Sequence, residues 1–421
     1  MRTARVVIGA GYGDEGKGLI ADALAASAGT DATVIRFNGG AQAGHTVTLD
    51  DGRRHVFHHV GSGAFAGAPT YLSRFFVANP ILLAEELGEL AALGAHPRVA
   101  IDPAAPVTTP YDMMINQIAE EARGNGRHGS CGLGFGETVE RAMHPQFALT
   151  AGVLERPAEV RALLLRIRSD WVPGRLAALG IAPSEADRAL IASDAILERW
   201  LEDAAAFLAA VSLGGADMLR PATSLVFEGA QGLMLDQHRG AFPHVTRSNT
   251  GLRNVLALAP EMGVGRLDIS YVTRAYTTRH GAGPLAHERA QAPHDRTAEE
   301  TNIPNPWQGS LRYGVLDLSV LQRAIAADLS DAAGAGVAIS HDLAVTCLDQ
   351  IGDSATLVAS GRAVRTAPET LAEMAARAAG TNALCMAFGP TRSTLIPATR
   401  PNHRRQQARP EMPAAETAPA R

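Results

Sequence analysis

A single lysine occurs among the 421 residues, in the turn Gly11-Tyr12-Gly13-Asp14-Glu15-Gly16-Lys17-Gly18. The remaining 37 of the 38 lysines and arginines are all arginine. An ammonium is a compact charge that fits beside a phosphate in a tight turn, whereas a guanidinium is a broad planar fork. The string from Gly11 to Lys17 reads Gly-x-x-x-x-Gly-Lys, the pattern of a loop whose backbone N–H groups cradle phosphate at a helix N-terminus. The next position departs from that pattern. A P-loop continues with a Ser or Thr that ligates Mg²⁺, and here Gly18 follows. The metal oxygen must come from elsewhere, with Asp14 the nearest candidate. A dinucleotide fingerprint starting at Gly9 and Gly11 would need glycine at position 14. Asp14 stands there, so hydride-transfer chemistry is disfavoured.

The elements that must hold this loop can be read on either side of it. Val6-Val7-Ile8 is an apolar strand, Leu19-Ile20-Ala21-Asp22-Ala23-Leu24 a helix, and Thr33-Val34-Ile35-Arg36-Phe37 a second strand ending at Asn38-Gly39-Gly40. This alternation predicts a βαβ unit in a mostly parallel sheet. Strand signals return at Ser224-Leu225-Val226-Phe227, Ser270-Tyr271-Val272-Thr273 and Leu343-Ala344-Val345-Thr346, each followed by Gly, Asp or Arg. In open α/β sheets ligands bind at the carboxyl ends of strands, which is where those polar residues fall. The expected fold is therefore α/β: a large, mostly parallel central sheet with helices on both faces and a P-loop-like N-terminal βα turn. One domain spans about 1–400, with an Ala/Leu/Arg-rich helical insertion at about 155–219. A tail, 401–421, has little to pack and is expected to be disordered.

Bulk composition removes several classes of function. The net charge of −5 argues against a nucleic-acid surface, so an anionic ligand must be held by local donors. No apolar run reaches the ~18–20 residues needed to span a bilayer. Three widely spaced cysteines, Cys131, Cys347 and Cys385, suggest no disulfide framework and a reducing, cytoplasmic setting.

Further strings make the reading specific. Gly13-Asp14-Glu15-Gly16-Lys17-Gly18 is followed by Ala43-Gly44-His45-Thr46, Phe227-Glu228-Gly229-Ala230-Gln231-Gly232 and Pro243-His244-Val245-Thr246. Arg274-Ala275-Tyr276-Thr277-Thr278-Arg279 and Gly281-Ala282-Gly283-Pro284 come next. In order and spacing, over about Arg5 to Pro390, these resemble the adenylosuccinate synthetase family. The resemblance implies a ligase in which a nucleoside triphosphate and Mg²⁺ activate the 6-oxo group of inosine monophosphate (IMP). The amine of L-aspartate then displaces the resulting 6-phosphate.

By that resemblance Asp14 is the base that takes the ring N1 proton and also a metal ligand. His45 is the general acid that stabilises charge on O6 and the leaving phosphate. Gly44 lends its carbonyl to Mg²⁺. The triphosphate nucleotide is bound by Gly13, Glu15, Gly16, Lys17, Gly18, Gly44, Thr46, Asp349, Gly389 and Pro390, with Asp349 on its base. Asn38, Gln42, Ser130, Cys131, Gln231, Thr246, Arg279 and Arg312 fall on substrate-binding positions. A homodimer is implied as well.

The chain departs from the family pattern in four places. The guanine-reading Thr-Lys-x-Asp appears as Thr346-Cys347-Leu348-Asp349, leaving GTP against ATP open. The Arg-rich aspartate-binding loop reads Asn305-Pro306-Trp307-Gln308-Gly309-Ser310-Leu311-Arg312, with only Arg312 kept. A Thr-Thr-Gly-Arg phosphate loop appears as Ser130-Cys131-Gly132-Leu133, and Pro145 falls near the place of the arginine that crosses the dimer. The segment from Asp349 to Gly389-Pro390 is short. These departures keep two alternatives in view. One is a paralogue running the same chemistry on another purine nucleotide, such as a 2-amino-6-oxopurine deoxynucleotide, or on another amine. The other is a GTP-binding regulatory module without ligase activity.

Overall fold

Nine parallel strands and one antiparallel edge strand make the central sheet of the computed structural model, which describes residues 1–127, 129–292 and 310–397. The expected tail 401–421 and the loop beginning at Asn305 lie outside the described residues, except for Ser310 onward. At the centre of the sheet is β1, Arg2–Gly9, flanked by Ser224–Gly232 on one side and Val264–Arg274 on the other. Ala32–Arg36, Thr70–Leu72, Val99–Ile101 and Val211–Leu213 continue the sheet beyond Ser224–Gly232. Ala338–Thr346, Leu384–Ala387 and the antiparallel Leu395–Ile396 complete the other half.

Strand β1 shows why the sheet is covered on both faces. Val6 and Ile8 join one apolar cluster while Val7 joins another, because successive side chains of a strand point to opposite faces. The first cluster is closed by helices Arg253–Leu258, Leu318–Ser330 and Pro368–Ala378. The second is closed by helix α1, Lys17–Ala28, through Ile20, Ala21 and Ala25 against Val34, Val226 and Val272. Each buried valine or isoleucine among these contributes about 1.5–3 kcal/mol relative to exposure. A continuous apolar run is thus the natural text of a parallel strand.

The stretch expected to be helical contains Pro157–Arg166, Val172–Ala178, Glu185–Ala192 and Asp194–Ala210, but it closes with an edge strand, Val211–Leu213. These helices share a third core with Leu72, Val99 and Ile101. No helix among the described residues is long and apolar enough to cross a membrane.

Candidate active site

The carboxyl ends of the five central strands carry the chemistry. β1 leads into the Gly-rich turn, Ala32–Arg36 into Asn38 to His45, and Ser224–Gly232 ends at Gln231. Val264–Arg274 delivers Arg274 and Ala338–Thr346 delivers Thr346.

Helix α1 begins after Gly16, in the left-handed region at φ 88°, with no side-chain cap. Its N-terminal N–H groups and partial positive charge are left for an anion. Lys17 is buried, 1% exposed, and donates from Nζ to the Gly13 carbonyl at 2.5 Å and to Glu15 Oε2 at 3.1 Å. Glu15 Oε1 accepts the N–H groups of Gly11 at 3.0 Å and Gly13 at 2.8 Å. A carboxylate thus sits where the loop's donors converge, so the turn is built to hold negative charge. Thr346 Oγ1 donates to the Glu15 carbonyl at 2.7 Å, and Arg274 Nε donates to the carbonyl of Asp14. Two strand ends therefore pin the loop backbone.

The glycine at position 18 now has a reason. A Cβ there would lie 2.8 Å from the Thr46 carbonyl oxygen, 3.2 Å from Ser62 Oγ and 3.3 Å from the backbone carbon of His45. The first turn of α1 packs directly on the strand His45–Thr48, leaving no room for a P-loop serine or threonine. The same contact brings His45 to the phosphate end of the helix. Asp14 and Lys17 lie in this turn, and the Gly18 contact places the His45 backbone beside it.

His45 is fixed from behind. Its Nδ1 lies 2.6 Å from Glu228 Oε1, and both side chains are buried. Ser62 donates to the same carboxylate, from its N–H at 2.9 Å and from its hydroxyl. With Nδ1–H given to Glu228, the imidazole leaves Nε2 without a protein partner, and that atom is buried. Burial and then Arg36 push the His45 pKa down to about 4, against the raising pull of Glu228. Burial raises Glu228, but His45, Arg36 and Ser62 overcome it and hold the carboxyl at about 2. The resting pair is a neutral imidazole on a carboxylate. A phosphate dianion arriving at Nε2 supplies the negative charge that favours a proton there.

Asp14 is partly open, its side chain 23% exposed. The surrounding protein raises its pKa by desolvation, opposed first by His280 and then by Arg274. A carboxyl so poised can accept a proton and return it. For Mg²⁺ the fit is an oxygen site of low protein content: the Asp14 carboxylate and the carbonyl of exposed Gly44. No group of three or more His, Cys, Asp or Glu that could hold a metal is found among the described residues. Mg²⁺ suits such a sparse shell, completed by phosphates and water.

The substrate-side residues divide into two sets. Gln42 has both amide atoms buried without partners, an arrangement that costs free energy until a ligand satisfies it. Gln231 sits at φ 63°, a left-handed conformation that disfavours side chains, beneath Gly13. The residue before it is held by Asn38, which accepts Ala230 N–H at 2.7 Å and donates to Ala230 O at 3.0 Å. Both ends of the Asn38 amide are therefore engaged in building the site. Arg279 donates to the carbonyls of Ala282, Pro284 and His244 and lies 4.6 Å over the Tyr12 ring. Arg312 binds Glu288 through two nitrogens and the carbonyls of Gly281 and Gly283. The two arginines expected to meet substrate hold the turn Gly281–Pro284 here.

Farther out, Ser130 Oγ accepts from Asn116 at 2.8 Å and Cys131 is a free thiol raised by burial. Thr246 bonds through its backbone to Leu235. Asp349 is exposed, Gly389 packs on Thr394, and Pro390 is exposed. Sequence reasoning assigned no role to Glu228, Ser62, Arg36 or His280. Glu228 and Arg36 had a signal, since each is a charged residue directly after an apolar run, Leu225-Val226-Phe227 and Val34-Ile35, in a buried strand. Ser62, in a short loop helix, had none.

Comparison with known proteins bears on family and fold. The family model for adenylosuccinate synthetase matches residues 6–375. The adenylosuccinate synthetase of Xanthomonas campestris pv. campestris (strain B100) is 34% identical over 338 residues, 76% of this chain and 74% of that protein. That of Stenotrophomonas maltophilia (strain R551-3) is 33% identical over the same shares of the two chains. Among solved structures, fully ligated adenylosuccinate synthetase from Plasmodium falciparum aligns with TM-score 0.73 at 18% identity, covering 94% of this chain and 99% of that one. Succinoaminodeoxyadenylate synthetase of cyanophage S-2L, bound to dGMP and dATP, aligns at 0.58 and 18%, covering 94% and 95%. By the family match over most of its length, by its relatives and by its fold, the chain belongs to the adenylosuccinate synthetase family of carbon–nitrogen ligases.

Proposed function

We propose that the chain condenses L-aspartate with IMP at the expense of GTP or ATP, giving adenylosuccinate, the nucleoside diphosphate and phosphate. Asp14 accepts the N1 proton, so that electron density moves to O6, and O6 attacks the γ-phosphorus as the diphosphate leaves. The aspartate amine then adds at C6, the C6–O bond breaks, and phosphate departs with O6. Lys17 and the N–H groups of the turn carry the charge of the triphosphate. The Nε2 of His45 faces the transferring phosphoryl group and holds a proton there as charge builds, while Glu228 keeps the ring in register. Mg²⁺, which Asp14 and the Gly44 carbonyl would hold, neutralises phosphate charge when bound. Gln42 and Gln231 recognise the base. The family's homodimer is part of this proposal.

What supports the reading is the packing of the His45 backbone on Gly18, in the turn that carries Asp14 and Lys17, with the His45 ring oriented by a buried carboxylate. A nucleotide-binding switch has no need of that dyad. The test is phosphate release with IMP, dIMP, GMP and dGMP, each with L-aspartate or other amino acids, and with GTP or ATP. Release that requires IMP, L-aspartate and Mg²⁺ together is expected. Nucleotide binding without amine-dependent release from any mixture would establish the regulatory module instead. The fold likeness to the cyanophage enzyme bound to dGMP keeps one second reading in view, a 2-amino-6-oxopurine deoxynucleotide as substrate, which the dGMP arm decides.

A further inference from the structure

His280 stands between two of the recognised strings and belongs to neither. It follows the strand Thr277–Arg279, whose register to Arg312–Gly314 and whose Arg279 contacts fix the entry to the turn Gly281–Pro284. Its Nε2 lies 3.4 Å from Asp14 Oδ2, both side chains being about one-fifth exposed, at 21% and 23%. Its Nδ1 is buried without a partner.

These facts choose the tautomer. With the proton on Nδ1, a buried donor would be orphaned and the Nε2 lone pair would face a carboxylate oxygen. With the proton on Nε2, the N–H lies on the side of Oδ2, at an ion-pair distance of 3.4 Å, and only a lone pair is left unpartnered. The charge of Arg274 also bears on the Asp14 carboxylate. Arg274 reaches the carbonyl of Asp14, and Glu15 and Lys17 bond each other.

We propose that His280 is a positioning residue for Asp14: its Nε2–H holds Oδ2 and thereby turns Oδ1 toward the purine N1. This rests on the reading of Asp14 as the base. A carboxylate free to rotate about its last bond presents the wrong oxygen, or none, to a proton that must leave along one direction. Orientation of this kind is worth up to about 100-fold in rate. No covalent step involves the imidazole itself.

The chemistry of the amides supplies the test. Glutamine carries its N–H₂ near the place of Nε2, whereas asparagine carries it near the place of Nδ1. For His280→Val and His280→Asn, kcat is expected to fall about 10- to 100-fold with the KM for IMP within threefold. For His280→Gln, kcat is expected to return to within about fivefold of the parent chain. Equal kcat in His280→Val and the parent, or an Asn variant that rescues as well as Gln, overturns the proposal. Crystal structures of the parent, His280→Gln and His280→Val judge it apart from turnover. The Asp14 carboxylate should hold one orientation in the first two and rotate in the third. An unchanged Asp14 in His280→Val overturns the positioning role. Parent chain lacking aspartate-dependent turnover while Asp14 rotates in His280→Val would instead sink the ligase reading and leave the contact standing.

Discussion

Replacing Glu228 by glutamine removes one charge from behind His45 and almost no volume. In the parent structure Glu228 Oε1 is 2.6 Å from Nδ1 and the carboxylate accepts two donors from Ser62. Hydrogen bonds to a charged group contribute about 1.5–3 kcal/mol. At 1.36 kcal/mol per tenfold, the part of this realised only when Nε2 holds a proton against phosphate comes to about 10- to 100-fold in kcat. The sign follows from the causes of the His45 shift. Glu228 raises that pKa, whereas Arg36 and Lys17 lower it, so the variant ring is harder still to protonate than the parent at about 4. The KM for IMP should change less than threefold, because Glu228 is fully buried behind the imidazole. Steady-state phosphate release gives kcat and KM, and circular dichroism checks that the fold survives. A kcat within threefold of the parent in a folded Glu228→Gln chain would refute the dyad. So would a change confined to KM.

Three further outcomes are expected. Gly18→Ser, which restores the P-loop residue, should abolish turnover rather than improve metal binding, because its Cβ meets Thr46, Ser62 and His45 at 2.8–3.3 Å. Overpacking of that kind costs about 1–3 kcal/mol, and urea unfolding beside a turnover assay would read both effects. Lys17→Arg should weaken triphosphate binding at least ~10-fold by calorimetry, since a buried cavity shaped for an ammonium cannot seat a planar fork; unchanged affinity would argue against the loop. The pKa of His45 is depressed in the fold, from 6.5 to about 4, so its contribution to stability is whole above about 6.5 and is lost as pH falls toward 4. Asp22 and Asp328, raised to about 6, act in the opposite sense, their stabilisation being lost as pH rises through 6. Between pH 7 and pH 4.5 the parent should therefore lose about 2–3 kcal/mol relative to His45→Gln. Parallel unfolding curves for the two would contradict the buried neutral imidazole.

Much of this architecture is legible in the chain because local pattern and function coincide at the loop. Val6-Val7-Ile8 has to be a buried strand, and the Gly-rich turn after it has to face an anion, whatever the rest does. The edge strand Val211–Leu213 is not legible, since three residues after a 17-residue helix carry no period of their own and are recruited by Val99–Ile101. Glu228 was visible as a motif member without a role, because its partner His45 is 183 positions away. Arg279 and Arg312 illustrate the converse. A guanidinium suits a carboxylate of the substrate and a backbone carbonyl of the chain equally well, and only the fold reveals the carbonyls of residues 281–284 as the nearer acceptors. The reason for Gly18 is tertiary too, lying in the closeness of Thr46 and Ser62.

The transfer of phosphate to the purine oxygen is tested most directly by labelling. IMP carrying ¹⁸O at position 6 is incubated with the chain, GTP or ATP, L-aspartate and Mg²⁺, and the released phosphate is analysed by mass spectrometry. One ¹⁸O per phosphate, lost in Asp14→Asn, is the expected result. Release of unlabelled phosphate alongside amine incorporation would contradict the proposed use of Asp14 and His45.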